Sequence, residues 1–61
     1  MTKKAYYFEM SVSLASAIEY LEDHIPCFVE VEPVEMNWAL VTITCRDEDV
    51  VAVEKALAPL V

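Results

Sequence analysis

Glycine is absent from this 61-residue chain. Without it the phosphate-cradling loops of the dinucleotide fingerprint and the P-loop cannot form. Any turn that needs a positive φ must then use an Asn or Asp, and Asn37 is the residue placed for the turn between the second and third strands. Basic residues are scarce as well: four Lys and Arg stand against eleven Asp and Glu, for a net charge of −7. No Lys or Arg occurs between Ala5 and Cys45, whereas Glu9, Glu19, Glu22, Asp23, Glu30, Glu32 and Glu35 all do. Such a field repels nucleic acid and anionic membranes, because both kinds of binding begin with Lys and Arg neutralising phosphate. It attracts basic protein surfaces instead. The same charge also serves to keep a hydrophobic small protein in solution, and the sequence leaves both uses open.

Long apolar runs are missing too. The stretch Ala5-Tyr6-Tyr7-Phe8 is broken by Glu9, so no secretory signal is expected, and the ten uncharged residues from Met36 to Cys45 are far short of a membrane span. Two cysteines do not make a disulfide framework of the secreted kind. A cytoplasmic protein with reduced thiols is expected.

What is present suffices for one domain covering residues 1–61. With 57 % apolar residues the chain is too hydrophobic to stay disordered, but so short a chain has little spare apolar material for a deep enclosed pocket. Residues 5–12 alternate, with Tyr6, Phe8, Met10 and Val12 on one face and Ala5, Tyr7, Glu9 and Ser11 on the other, which predicts a half-buried strand. Ser11 or Ser13 supplies an N-cap for a helix whose apolar stripe is Leu14, Ala17, Ile18, Leu21 and Ile25, stopped by Pro26. Residues 27–34 predict a second strand, with Cys27, Val29 and Val31 inward and Phe28, Glu30 and Glu32 outward. Residues 38–45 predict a third, with Ala39, Val41, Ile43 and Cys45 inward and Trp38, Leu40, Thr42 and Thr44 outward. A three-residue turn pairing Val34 with Trp38 would set Cys27 opposite Cys45. Asp47 is placed to cap a last helix with Glu48 and Asp49 in its first turn and Val50, Val53, Leu57 and Leu60 as its inner stripe.

The order β-α-β-β-α resembles a ferredoxin-like plait that lacks its last strand: an α+β fold with a three-stranded antiparallel sheet and two helices on one face. In that arrangement the third strand is central and the first becomes an open edge, available to a strand of a second copy or of another protein. A fold resemblance of this kind carries no function.

Catalysis finds little footing. His24 is the single histidine, no Ser or Cys stands in a nucleophile motif with it, and the paired carboxylates fall on exposed faces, so an enzyme is not expected. His24, Cys27 and Cys45, with Asp23 and Asp47 at the same end, form the sharpest conceivable metal set. Inward cysteines are ordinarily small buried hydrophobes, however, and no paired-cysteine knuckle is present; neither metal nor cofactor is expected. The outer sheet face holds Tyr7, Phe28, Trp38 and Leu40 between Glu9, Glu30 and Glu32. Aromatics there suit base stacking, but the neighbouring carboxylates repel phosphate, which leaves a protein-binding surface.

The partner-binding residues expected from this pattern are Glu9, Glu30, Glu32, Trp38, Leu40, Asp47, Glu48 and Asp49. Glu30 and Glu32 stand about 6.6 Å apart along a strand, comparable to neighbouring phosphates. In size, acidity and compactness the chain resembles phage-encoded anti-CRISPR proteins that imitate nucleic acid. That resemblance implies an inhibitor plugging a basic nucleic-acid-binding surface. The alternative reading is a homodimeric ferredoxin-like regulatory domain, joined through strand 1, that binds a small metabolite.

Overall fold

The structure, a computed structural model, describes residues 1–60. Its elements run β1 (Thr2–Glu9), α1 (Val12–His24), β2 (Cys27–Glu35), β3 (Trp38–Cys45), a 3₁₀ turn (Asp47–Asp49), α2 (Val50–Leu57) and a second 3₁₀ turn (Ala58–Leu60). The sheet is antiparallel in the order β1-β3-β2, with β3 in the middle and both other strands at edges. This is the β-α-β-β-α order, consistent with a ferredoxin-like plait without its fourth strand.

Local chemistry accounts for the element boundaries around α1. Ser11 has an extended backbone, and its hydroxyl accepts from the Leu14 N–H at 3.1 Å, satisfying a donor that the first helical turn leaves free. At the other end Pro26 forces Ile25 into the β region (φ −127°, ψ 129°). The helix lays Leu14 and Leu21 on the sheet, with Ala17 and Ile18 partly covered. α2 adds Val53 and Leu57, and the inward residues of β3, Ala39, Val41, Ile43 and Cys45, are all buried beneath the two helices. Phe8 completes the core from β1. Tyr6 stacks on Phe8 with ring centroids 5.5 Å apart, and its phenol oxygen is buried with no hydrogen-bond partner, a cost of about 1–3 kcal/mol.

Four details differ from the sequence expectation. First, β1 spans residues 2–9, not 5–12. Thr2 to Lys4 pair with Ile43 to Cys45 although they lack an apolar pattern, while Met10 lies beyond the strand and Val12 opens α1, both exposed. Second, Val34 does not face Trp38. Cys27 is opposite Cys45 as expected, and the register holds to Pro33↔Ala39, but then Glu35 pairs with Trp38 and Val34 is the extra residue of a β-bulge. The connection is therefore a two-residue turn, Met36–Asn37. Third, Asn37 does not adopt a positive φ; no residue among those described does. Mirror-image hairpin turns need positive φ, so this hairpin joins without one, and the bulge supplies local twist that the turn itself does not. Fourth, Asp47 caps no helix: no side-chain cap bond is made at the start of the 3₁₀ turn or of α2.

Candidate functional site

The outer face of the sheet carries no helix, and the register lays its side chains out as a grid. Each row crosses β1, β3 and β2: Lys3, Thr44, Phe28; Ala5, Thr42, Glu30; Tyr7, Leu40, Glu32; Glu9, Trp38, Glu35. The bulge at Val34 decides the last row. An unbulged strand would put Glu35 on the core face, whereas the extra residue returns it to the outer face beside Trp38. Glu35 is thus a member of the site that sequence alternation missed, and only the ladder could reveal it.

The β2 column of this face is therefore Phe28, Glu30, Glu32 and Glu35, three carboxylates in succession, and Glu9 stands across Trp38 on β1. Among the described residues, none of these four glutamates is in an ion pair. Between them Tyr7 and Trp38 stack at 5.2 Å with an 11° interplanar angle, as diagonal neighbours on adjacent antiparallel strands can. Loss of solvation raises the Tyr7 phenol above its ordinary pKa, and a hydrogen bond and the charge of Glu35 push the same way. The rings remain accessible, Tyr7 48 % and Trp38 38 % exposed, with Phe28 at 63 % and Leu40 half-buried.

Asp47, Glu48 and Asp49 belong to a different region, the end of the molecule where β3 leaves the sheet. Their charges are largely answered within the chain. Asp47 Oδ1 accepts from the Thr2 hydroxyl at 2.7 Å and lies 3.5 Å from the terminal ammonium; these contacts, the hydroxyl first, hold its carboxyl below the usual value. Arg46 reaches Asp49 at 2.7 Å and Glu48 at 3.4 Å, which raises the pKa of its guanidinium. The structure accordingly brings Glu9, Glu30, Glu32, Trp38 and Leu40 together on one surface and leaves Asp47, Glu48 and Asp49 apart from it.

Two further features lie on the helical side. Cys27 and Cys45 face each other across the β2–β3 ladder as free thiols. Cys27 donates to the Leu21 carbonyl at 3.7 Å, and its thiol is pushed up, chiefly by burial and then by the charges of Cys45, Glu22 and Asp49. The described residues contain no group of three or more His, Cys, Asp or Glu side chains arranged to hold a metal ion. Between α1 and α2 runs an open cleft of about 670 Å³, with Tyr20, His24 and Lys55 at its polar margin. No helix among the described residues is long and apolar enough to cross a membrane. No protein-family model matches the chain, and neither a curated protein nor a solved structure is detectably similar to it.

Proposed function

We propose that the chain is an acidic protein-interaction module whose outer sheet face docks on a basic surface of another protein. The observation that carries this reading is the set of four unpaired glutamates, Glu9, Glu30, Glu32 and Glu35, around the stacked Tyr7 and Trp38. An exposed aromatic pair makes a natural anchor, since hot spots are enriched in Trp and Tyr. Carboxylates spaced about 6.6 Å apart along β2 present charge at phosphate-like intervals. The surface so formed suits a cleft built for nucleic acid, and the module then acts as an inhibitor of the kind that anti-CRISPR proteins represent. Nucleic acid itself is repelled, and so is an anionic membrane. The chain binds and does not catalyse. Its site of action is the cytoplasm, where the free thiols stay reduced.

A second reading rests on the cleft between the helices, whose volume falls in the range of small-ligand sites. A metabolite there would make the chain a regulatory domain. The polar side chains at its margin, Tyr20, His24 and Lys55, are all exposed and hold no fixed position to orient such a ligand, so the outer face has the stronger support.

The experiment is retention of proteins from a host lysate on the immobilised chain, followed by elution. A specific partner elutes with rising salt and with added single- or double-stranded oligonucleotide, and is not retained by the Glu30→Lys, Glu32→Lys double variant. Retention that survives charge reversal and salt but fails with Trp38→Ala means that the aromatic patch binds and the charge only solubilises. Under that outcome the mimic is abandoned.

A further inference from the structure

The backbone of β1 points to a specific partner at its open edge. Met10 N–H donates to the Asn37 carbonyl at 2.6 Å, and antiparallel ladders alternate hydrogen-bonded with non-bonded pairs. Following that phase back along the register, Thr2, Lys4, Tyr6 and Phe8 turn their N–H and C=O groups toward β3. Lys3, Ala5, Tyr7 and Glu9 therefore turn theirs outward. The same phase carried across β3 turns the nitrogen of Pro33 to the open side of β2, where a missing N–H costs the ladder nothing.

The two edges differ in how they treat a second copy. β2 has the bulge at Val34, Pro33 and the like-charged column Glu30, Glu32, Glu35, each of which blocks strand addition. β1 has no proline and no bulge, and its charges are of opposite sign at opposite ends: Lys3 near the start, Glu9 at the finish. Antiparallel self-pairing turns that asymmetry into complementarity.

We propose that two copies join through β1 into one continuous six-stranded sheet, in the register that sets Lys3 opposite Glu9 of the second copy and Ala5 opposite Tyr7. This register is selected because it alone uses all four outward-turned residues of each strand as hydrogen-bonded pairs. A shift of two residues either way leaves one end unpaired and parts Lys3 from Glu9. Tyr6 then faces Tyr6 of the second copy on the two-fold axis.

The helical side fits the same joint. Ala52 and Ala56 of α2, with Asp49 and Pro59 of the 3₁₀ turns on either side, line the cleft toward α1, and Val50, Val53 and Leu57 face the sheet. The remaining face holds Val51, Glu54 and Ala58, and Glu54 bonds Lys4 of β1 at 2.8 Å, which places that face over the β1 edge. Val51, 61 % exposed in the single chain, lies where the second α2 would approach. The joint leaves the Glu30, Glu32 and Glu35 columns at the two outer rims and brings the two Tyr7–Trp38 stacks onto one surface. It holds whichever partner that surface takes, because its test needs no partner.

Sedimentation equilibrium of the full chain from micromolar to millimolar concentration reads the association directly. The wild type is expected to dimerise in that range, and a chain monomeric throughout overturns the proposal. Ala5→Pro deletes an outward N–H without touching the β3 ladder, and should weaken the dimer by about 10–100-fold while circular dichroism stays native. An equally tight, folded Ala5→Pro dimer means that β1 is not the joint. The register is tested by charge: Lys3→Glu should weaken association about tenfold, and Lys3→Glu with Glu9→Lys should restore it. Failure of the double exchange to restore binding overturns the register even if Ala5→Pro does not fold. Amide exchange gives an independent check: the N–H groups of Lys3, Ala5, Tyr7 and Glu9 should be protected only at concentrations where the dimer forms.

Discussion

The carboxylate column on β2 should hold down the stability of the isolated chain, and reversing its middle member should reveal by how much. Glu32 lies between Glu30 and Glu35 on the outer face: Glu30 is opposite Thr42, Glu32 opposite Leu40 and Glu35 opposite Trp38. Each neighbour is therefore about 6.6 Å away along the strand direction. Two unit charges at that separation in water repel by about 0.6 kcal/mol, and screening at physiological salt leaves roughly half. Glu32→Lys converts two repulsions into two attractions, so the expected gain is about 1 kcal/mol at physiological salt and more below it. For a domain of this size that raises Tm by about 4–8 °C. The side chain points away from the core, so no packing is lost. Thermal melts followed by circular dichroism in 10 mM and 1 M salt provide the assay, with the gain expected to shrink to a few tenths of a kcal/mol in high salt. Glu35→Lys should gain little or nothing, since it has one such neighbour and gives up its hydrogen bond with the Tyr7 phenol. A Tm that is unchanged or lower for Glu32→Lys at low salt would falsify the column, and with it the bulge that brings Glu35 to this face.

Ser11→Ala removes the hydroxyl that accepts from Leu14 N–H and should cost about 1 kcal/mol in urea denaturation, whereas Ser13→Ala should be near neutral. Asp47 has a depressed pKa in the folded chain, so the stability it contributes is present above its unfolded value and lost as pH falls below about 4. Asp47→Asn should accordingly remove part of the loss of stability seen between pH 4 and pH 2 in the wild type, and an unaltered acid limb would rule out that contribution. Because burial raises the Cys27 thiol, its alkylation by iodoacetamide should be slow at pH 7.5 and have a midpoint above that of an unfolded control. Labelling of the folded protein at the control's rate would contradict the burial.

Much of the fold was legible because alternation is a local property. In β3 every second residue from Ala39 to Cys45 is apolar and buried, as a period of two requires when one face is covered. Ser11 and Pro26 mark the ends of α1 through bonds and clashes within a few residues. The element order then put β3 between its neighbours. The glutamates of the outer face could be assigned from the same parity as far as Glu32.

Beyond these points the deciding contacts join residues far apart in the chain. β1 begins at Thr2 because the β3 ladder continues to Cys45 and draws the polar Thr2-Lys3-Lys4 segment into pairing. Asp47 lost its expected capping role to Thr2 and the terminal ammonium, groups some forty-five residues earlier that β1 brings beside it. Glu35 changed faces through one extra residue at Val34, a feature of how two strands fit together and not of either strand alone. Composition alone determined that the chain is acidic and apolar enough to fold, and periodicity determined which side chains point inward. Only the tertiary structure decided which carboxylates stay unpaired and which face Glu35 joins, because pairing depends on distances between residues that no local pattern connects.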